Sequence, residues 1–256
     1  MIENLAIDDL TQIAKTAGVR ILEIYYDENR AQVSDVKDDH SPLTLADKAA
    51  HDYIAPALRK LYPELPQISE EGKGINYPVR SKWDYYWLID PLDGTKEFLK
   101  RNGQFTVNIA LMHKEKPVLG IIYAPVHDLL YYGGASLGSF KSIENKPMQP
   151  IYVNYKKDNL VVVKSKSHSS KEEDETLEKY PVADSIEVGS SLKFCMVAEG
   201  KADLYYRAGP TMEWDTAAGQ AIVEGAGGNV YKNSGTEPFE YNKASLLNGS
   251  FLCVGW

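Results

Sequence analysis

An α/β fold with an α+β first half is what this sequence predicts, and three patterns carry the prediction. Residues 5–25 and 44–61 space their apolar side chains as one face of a helix does. Tyr85–Ile89, Phe105–Met112, Val118–Tyr123 and Leu129–Tyr132 are β-branched or aromatic runs separated by turn residues, which read as successive strands. Beyond residue 150 strand-like and helix-like segments alternate, as they do in layered α/β chains.

In chain order, the first helix sets Ile7, Leu10, Ile13, Ala14, Ala17, Ile21 and Ile24 along one side. Asp35 to Leu43 is polar and reads as a loop with Pro42 at its end. Thr44 then caps a second helix through about Leu61, with Ala46, Ala50, Ile54, Ala57 and Leu58 on one side. Pro56 lacks an N–H and should kink that helix or break its hydrogen bonding. Pro63 and Pro66 bracket a short edge element ending at Ser69-Glu70-Glu71. The four strands that follow complete a largely antiparallel sheet carrying two helices. Polarity and proline at 141–150 mark a boundary between an N-terminal α+β domain, 1–145, and a C-terminal α/β domain, 146–256. The second half reads as a strand (Leu160–Val163), a polar helix (Lys171–Lys179), a helix (Ser191–Glu199) and a strand (Ala202–Tyr206). A helix at Trp214–Gly225 and strands at Asn229–Tyr231 and Phe251–Val254 complete it.

Composition narrows the function classes. The 256 residues suffice for one large domain or two small ones sharing an interface, and 43% apolar content supports a sizeable core. The net charge is −8 with no basic block, which argues against a nucleic-acid polymer as partner. An anionic substrate would need a local device, and bound metal ions would invert the local field. The acidic start Met1-Ile2-Glu3-Asn4 is unlike a signal peptide, and no apolar run reaches membrane-spanning length. Cys195 and Cys253 sit among apolar neighbours, as buried thiols of a reduced cytoplasmic protein do, with a single disulfide between them as the alternative, and peripheral contact with the inner membrane is compatible with this. His40, His51, His113, His127 and His168 show no zinc spacing, so any metal should be held by carboxylates.

The chemistry concentrates at Asp90-Pro91-Leu92-Asp93-Gly94-Thr95, directly after an apolar strand. Pro91 stiffens the turn, and Gly94 leaves Thr95 room to open a short helix. Two carboxylates with the Leu92 carbonyl between them suit a hard divalent cation, although Asp-Pro and Asp-Gly are also ordinary turn dipeptides. Three further acidic stations stand out. Glu70 follows a short strand and could equally be loop charge. Asp215 opens an Ala/Gly-rich helix and could be its cap, and Asp47 could belong to a capping box. One joint reading covers all four: converging carboxylates repel unless divalent cations sit among them, and two such ions can clamp a phosphate and activate water. Gly94 and Thr95 would add N–H groups toward the phosphate.

Glu70-Glu71, Asp-Pro-Leu-Asp-Gly-Thr and Trp-Asp-Thr-Ala-Ala, in this order, resemble the Mg2+-dependent, lithium-sensitive inositol monophosphatase superfamily. Trp87–Asn108, Val188–Gly200 and Gly209–Gly219 are similar to its bacterial 3′(2′),5′-bisphosphate nucleotidase branch, and the similarity spans essentially the whole chain. It implies a layered αβαβα sandwich of the inositol monophosphatase and fructose-1,6-bisphosphatase type, with the site in a cleft between the domains. It implies metal ligation by Glu70, Asp90, the Leu92 carbonyl, Asp93 and Asp215, with two or three Mg2+ ions, and water activation by Thr95 and Asp47. Either that pair or Glu70 takes the proton. Substrate would touch Glu70, Leu92, Asp93, Gly94, Thr95, Ser165, His168, Gly189, Ser190, Lys193 and Asp215. Lys166 stands where the branch frequently has arginine, and the surroundings of Arg207 also depart from it, which bears on fine substrate preference. The implied reaction is hydrolysis of adenosine 3′,5′-bisphosphate to AMP and phosphate, with 3′-phosphoadenylyl sulfate as a second substrate. An inositol- or sugar-phosphate phosphatase would share every metal ligand but has no use for Lys193. A non-catalytic nucleotide or metal sensor would not need Asp47 and Thr95. No oligomeric state is specified.

Overall fold

The structure is a computed structural model that describes residues 5–27, 34–36, 42–165 and 170–256, with backbone alone for 34–36 and 42–44. The chain begins with α1 (Ile7–Tyr25), a short antiparallel pair β1 (Ser34–Val36) and β2 (Pro42–Thr44), and α2 (Leu45–Leu61). There follow β3 (Gln67–Ser69), α3 (Tyr77–Arg80), β4 (Tyr85–Asp93) and α4 (Thr95–Leu99). An antiparallel meander comes next: β5 (Thr106–His113), β6 (Lys116–Ala124), β7 (Leu129–Gly134), β8 (Gly138–Ile143) and β9 (Gln149–Ile151). The second half comprises β10 (Leu160–Ser165), α5 (Lys171–Leu177), β11 (Val182–Val188), α6 (Leu192–Ala198), β12 (Leu204–Arg207) and β13 (Thr211–Met212). It ends with α7 (Glu213–Gly225), β14 (Asn229–Lys232), β15 (Leu247–Asn248) and β16 (Phe251–Val254).

Strand β4 explains the layering. Its residues alternate between faces as any strand's do, yet both faces are buried, so the segment reads as an unbroken apolar run. Trp87 and Ile89 meet the outer helices through Leu10, Ile21, Ile54 and Leu58, whereas Tyr86 and Leu88 share a second core with Phe194, Ala217 and Ile222. The seven-stranded sheet, ordered β3-β4-β5-β6-β7-β8-β9, therefore lies between α1/α2 and α6/α7. Helix α7 can lie directly on it because Gly120 of β6 has no side chain; a Cβ there would come 2.1 Å from the Ala218 carbonyl oxygen. The five-stranded sheet, ordered β11-β10-β12-β16-β14, covers the other side of α6/α7 through Val163, Tyr205 and Phe251. Its outer face, with Leu160, Val162, Leu204 and Leu252, packs on Leu177 of α5. This is the expected αβαβα order.

Several expectations change in detail. Residues 35–43 were expected as loop, but β1 and β2 take up both ends of the segment. Helix α2 runs as one element through Pro56, which lies on the exposed side where water can serve the carbonyl deprived of its partner. The large sheet continues past residue 145 into β9, and the core under it draws on both halves of the chain. Cys195 and Cys253 are buried and free. Among the described residues no helix is long and apolar enough to cross a membrane.

Candidate active site

The parallel pairing of β3 with β4 sets Ser69 opposite Ile89, and the Glu70 N–H then donates to the Ile89 carbonyl at 3.1 Å. Glu70 is thereby carried to the end of β4, where Asp90 lies. Residues three apart on an unbroken strand face opposite ways, so Asp90 and Asp93 could not share a site without a correction. The register supplies it. Asp90 pairs with Asn108 and Asp93 with Thr106, leaving Pro91 and Leu92 together opposite Val107. Such a bulge re-aims side chains and accommodates a residue with no N–H to give. The Leu92 N–H donates to Asp90 Oδ1 at 3.1 Å, and the Leu92 side chain is buried in the outer core, so it is the backbone that can face the site. Gly94 takes φ +91°, and a Cβ on it would lie 3.2 Å from Ser190 Cβ; Thr95 then opens α4.

From the second half, Asp215 is the third residue of α7, and its Oδ2 accepts the Met212 N–H at 2.8 Å, so it is a cap as well as a site residue. Asp93 Oδ2 accepts from Ser190 Oγ, the Ser191 N–H and Ser191 Oγ, each at 2.6 Å, which ties the β4 bulge to the loop entering α6. Behind that loop Asn108 Nδ2 donates to Ser191 Oγ at 2.7 Å. Glu70, Asp90, Leu92, Asp93, Gly94, Thr95, Ser165, Ser190, Lys193 and Asp215 line one cavity of about 290 Å3. Asp47 and Gly189 are not among its lining residues. Asp47 is buried and its charge is felt at Asp90. Gly189 braces the loop, donating its N–H to Gln104 Oε1 at 3.0 Å. His168 and Lys166 lie outside the described residues.

The sequence reading noted the surroundings of Arg207 but assigned neither it nor Tyr205, Ser191 and Glu97 to the site, and all four stand in the wall of this cavity. One signal for Arg207 was available: it closes an apolar strand, as Ser165 does. Since β10 and β12 are parallel neighbours, their C-terminal ends fall on one edge.

Burial first, and then the charges of Glu70, Asp93, Asp215 and Asp47, push Asp90 well above the usual carboxylate range. Asp215 is pushed the same way by burial and by Asp93, against the opposing effect of the Met212 N–H. Lys193 is 6% exposed; burial lowers its ammonium to about 8, with Asp93 opposing the shift and Arg207 reinforcing it. Its Nζ donates to the Ser190 carbonyl at 2.7 Å and stands 5.4 Å above the Tyr205 ring centre.

Known proteins resemble this chain along its length. The sequence profile of the Inositol monophosphatase family matches residues 5–253. The chain belongs to that family. It is 46% identical over 248 residues to a 3′(2′),5′-bisphosphate nucleotidase CysQ of Escherichia coli O157:H7, spanning 96% of this chain and 98% of that protein. A protein of the same description from Salmonella typhimurium is 45% identical over 96% of this chain and 98% of its own length. The crystal structure of CysQ from Bacteroides thetaiotaomicron, a bacterial member of the family, superposes with a TM-score of 0.85 at 40% identity, covering 98% of each chain.

The family is metal-dependent, typically on Mg2+. Among the described residues no three His, Cys, Asp or Glu side chains are drawn together into a finished cation cage. Instead, oxygens of Asp90, Asp93 and Asp215 are engaged by N–H and hydroxyl donors of the fold. The donor set nevertheless fits: four carboxylates and a carbonyl are hard oxygen ligands. Burial first, and mutual repulsion after it, raise Asp90 and Asp215, and a divalent cation would offset the repulsion.

Proposed function

We propose that this phosphatase removes the 3′-phosphate of adenosine 3′,5′-bisphosphate, giving AMP and phosphate, with 3′-phosphoadenylyl sulfate as a second substrate. The observation that carries the reading is that one cavity joins the carboxylates of Glu70, Asp90, Asp93 and Asp215 to Lys193 and Arg207, two cations from the second half of the chain that stand apart from Lys96 beside Thr95. A substrate with a single phosphate at the carboxylate end leaves those cations unused. The activity named for the Escherichia coli and Salmonella relatives supports the same substrate class.

In this reading Glu70, Asp90, the Leu92 carbonyl, Asp93 and Asp215 hold two or three Mg2+ ions. Bound there, such ions would supply Lewis-acid stabilisation of the transferring phosphoryl group and would lower the pKa of the attacking water. The Thr95 hydroxyl, in the cavity wall, orients that water, and the buried Asp47 or Glu70 takes its proton. The second phosphate is met by the Lys193 ammonium and by Ser165 and Ser190 in the cavity wall, with Gly189 bracing the loop that carries Ser190; His168, expected in the same role, lies outside the described residues. Residues 1–145 thus supply most metal ligands, and 146–256 supply Asp215 and the substrate-binding side. The setting is the cytoplasm.

Phosphate release from adenosine 3′,5′-bisphosphate and from inositol 1-phosphate, side by side with saturating Mg2+, tests the proposal. Turnover of the nucleotide at a much higher kcat/KM is expected, and equal values or a preference for inositol 1-phosphate would reject it.

A further inference from the structure

Glu173 is the third residue of α5 and is buried at 6% exposure. It forms a capping box with Ser170: its Oε2 accepts the Ser170 N–H at 3.3 Å, and Ser170 Oγ accepts the Glu173 N–H at 3.2 Å. Capping requires only one carboxylate oxygen. The other, Oε1, leaves the helix, accepting the Ala208 N–H at 3.2 Å and meeting Arg207 Nη1 at 3.3 Å. Side-chain exposures of 12% for Arg207 and 8% for Glu173 set this pair apart from a solvated surface contact. Arg207 and Lys193 both line the cavity, and the Arg207 charge disfavours the Lys193 ammonium. Two cations side by side need compensating carboxylates; Asp93, Glu97 and Glu173 all favour the Lys193 ammonium, and Glu173 is bonded to Arg207 as well.

We infer that Glu173 is a positioning residue for substrate selection: by fixing the Arg207 guanidinium beside Lys193 it shapes the cation pair that receives the phosphate that is not cleaved. This rests on the bisphosphate reading above. Two mechanisms for Glu173 give opposite signs. Were it felt only as a negative charge, its neutralisation at a pH well below the value of about 8 for Lys193, where that ammonium stays charged, would make the cavity more positive and tighten anion binding. A positioning role predicts weaker binding, because a guanidinium that loses its fixed orientation loses the fork geometry that suits a phosphate.

The test is the ratio of kcat/KM for adenosine 3′,5′-bisphosphate to that for 3′-AMP, with thermal unfolding alongside. Glu173→Gln should lower the ratio on the order of ten-fold, through KM for the bisphosphate, the scale of one charge-assisted hydrogen bond. Arg207→Lys should do the same, and adding Glu173→Gln to it should cost little more. Ser170→Ala removes the other half of the capping box and should lower the unfolding temperature while leaving the ratio intact. If Glu173→Gln does not fold, Glu173→Asp keeps the charge one methylene short of Arg207 and should lower the ratio too. A ratio that is unchanged or raised in the folded Glu173 variant, or a fall of equal size in Ser170→Ala, would overturn the inference. A wild-type enzyme with no preference for the bisphosphate would instead reject the substrate reading itself, before any variant is made.

Discussion

At the scale of single residues, Asp93 bears two demands at once. It accepts three hydrogen bonds at one oxygen from the 190–191 loop, and it is assigned to metal ligation. Asp93→Asn keeps an acceptor for the serines but loses the charge. Turnover at saturating Mg2+ should fall about a hundred- to thousand-fold, corresponding to several kcal/mol of Lewis-acid assistance at 1.36 kcal/mol per tenfold. The circular dichroism spectrum should remain that of the folded protein. A variant retaining more than half of the wild-type turnover would remove Asp93 from the ligand set. Carboxylates such as Asp90 and Asp93 were legible in the sequence because they end an apolar strand in a stiff turn. The bulge that brings them to one side was not legible, since it is a property of pairing with β5. Arg207 and Tyr205 were not assigned to the site for a related reason: both become site residues only through the neighbour their strand acquires.

At the scale of elements, the start of α7 is held by a buried charge. Glu213 is fully buried, accepts the Asn242 N–H at 2.7 Å and meets Lys243 Nζ at 2.6 Å. Lys243 Nζ also donates to Asn248 Oδ1 at 3.1 Å, and Asn248 Nδ2 donates to the Met212 carbonyl at 2.8 Å, beside the N–H that Asp215 caps. Lys243→Met would strand the Glu213 carboxylate. Breaking a fully buried pair costs about 3–5 kcal/mol, and because Lys243 is partly exposed a loss of about 2 kcal/mol is expected in urea unfolding. Stability unchanged within error would show that Glu213 is satisfied by backbone N–H groups alone. Elements with a strong apolar signal, α1, α2 and β4 to β7, were readable in advance. Strand β11 was not, because most of its residues are exposed and β10 is its only partner in the sheet. Strands β1 and β2, three residues each, are too short to show a period.

At the scale of the whole molecule, the sandwich assembles mutually repelling carboxylates around one cavity. Asp90 and Asp215 have folded-state pKa values raised above their unfolded values. The stability they contribute is fully present below the unfolded carboxylate pKa of about 4 and is lost as pH rises through the folded values. With chelator present, the unfolding temperature should therefore decline as pH climbs from about 4 toward neutrality. Saturating Mg2+, which binds the folded state, should raise and flatten that profile, and Asp90→Asn should flatten it without metal. A metal-free profile that rises over this range would contradict the assigned electrostatics. A layered α/β chain was legible because helix and strand periods alternate along it, and the αβαβα order was implied by the family resemblance, whereas the core shared by both halves, through Leu88, Phe194 and Ala218, required the structure.

The central claim, that a carboxylate metal site and an anion-binding site face one substrate in one cavity, turns on Lys193. The decisive measurement is the ratio of kcat/KM for adenosine 3′,5′-bisphosphate over that for 3′-AMP, at saturating Mg2+, before and after Lys193→Ala. A charge-assisted hydrogen bond of about 1.5–3 kcal/mol predicts a fall in that ratio of roughly ten- to hundred-fold. An unchanged ratio would contradict the account, leaving Lys193 a structural partner of the Ser190 carbonyl and favouring a phosphatase for single-phosphate substrates.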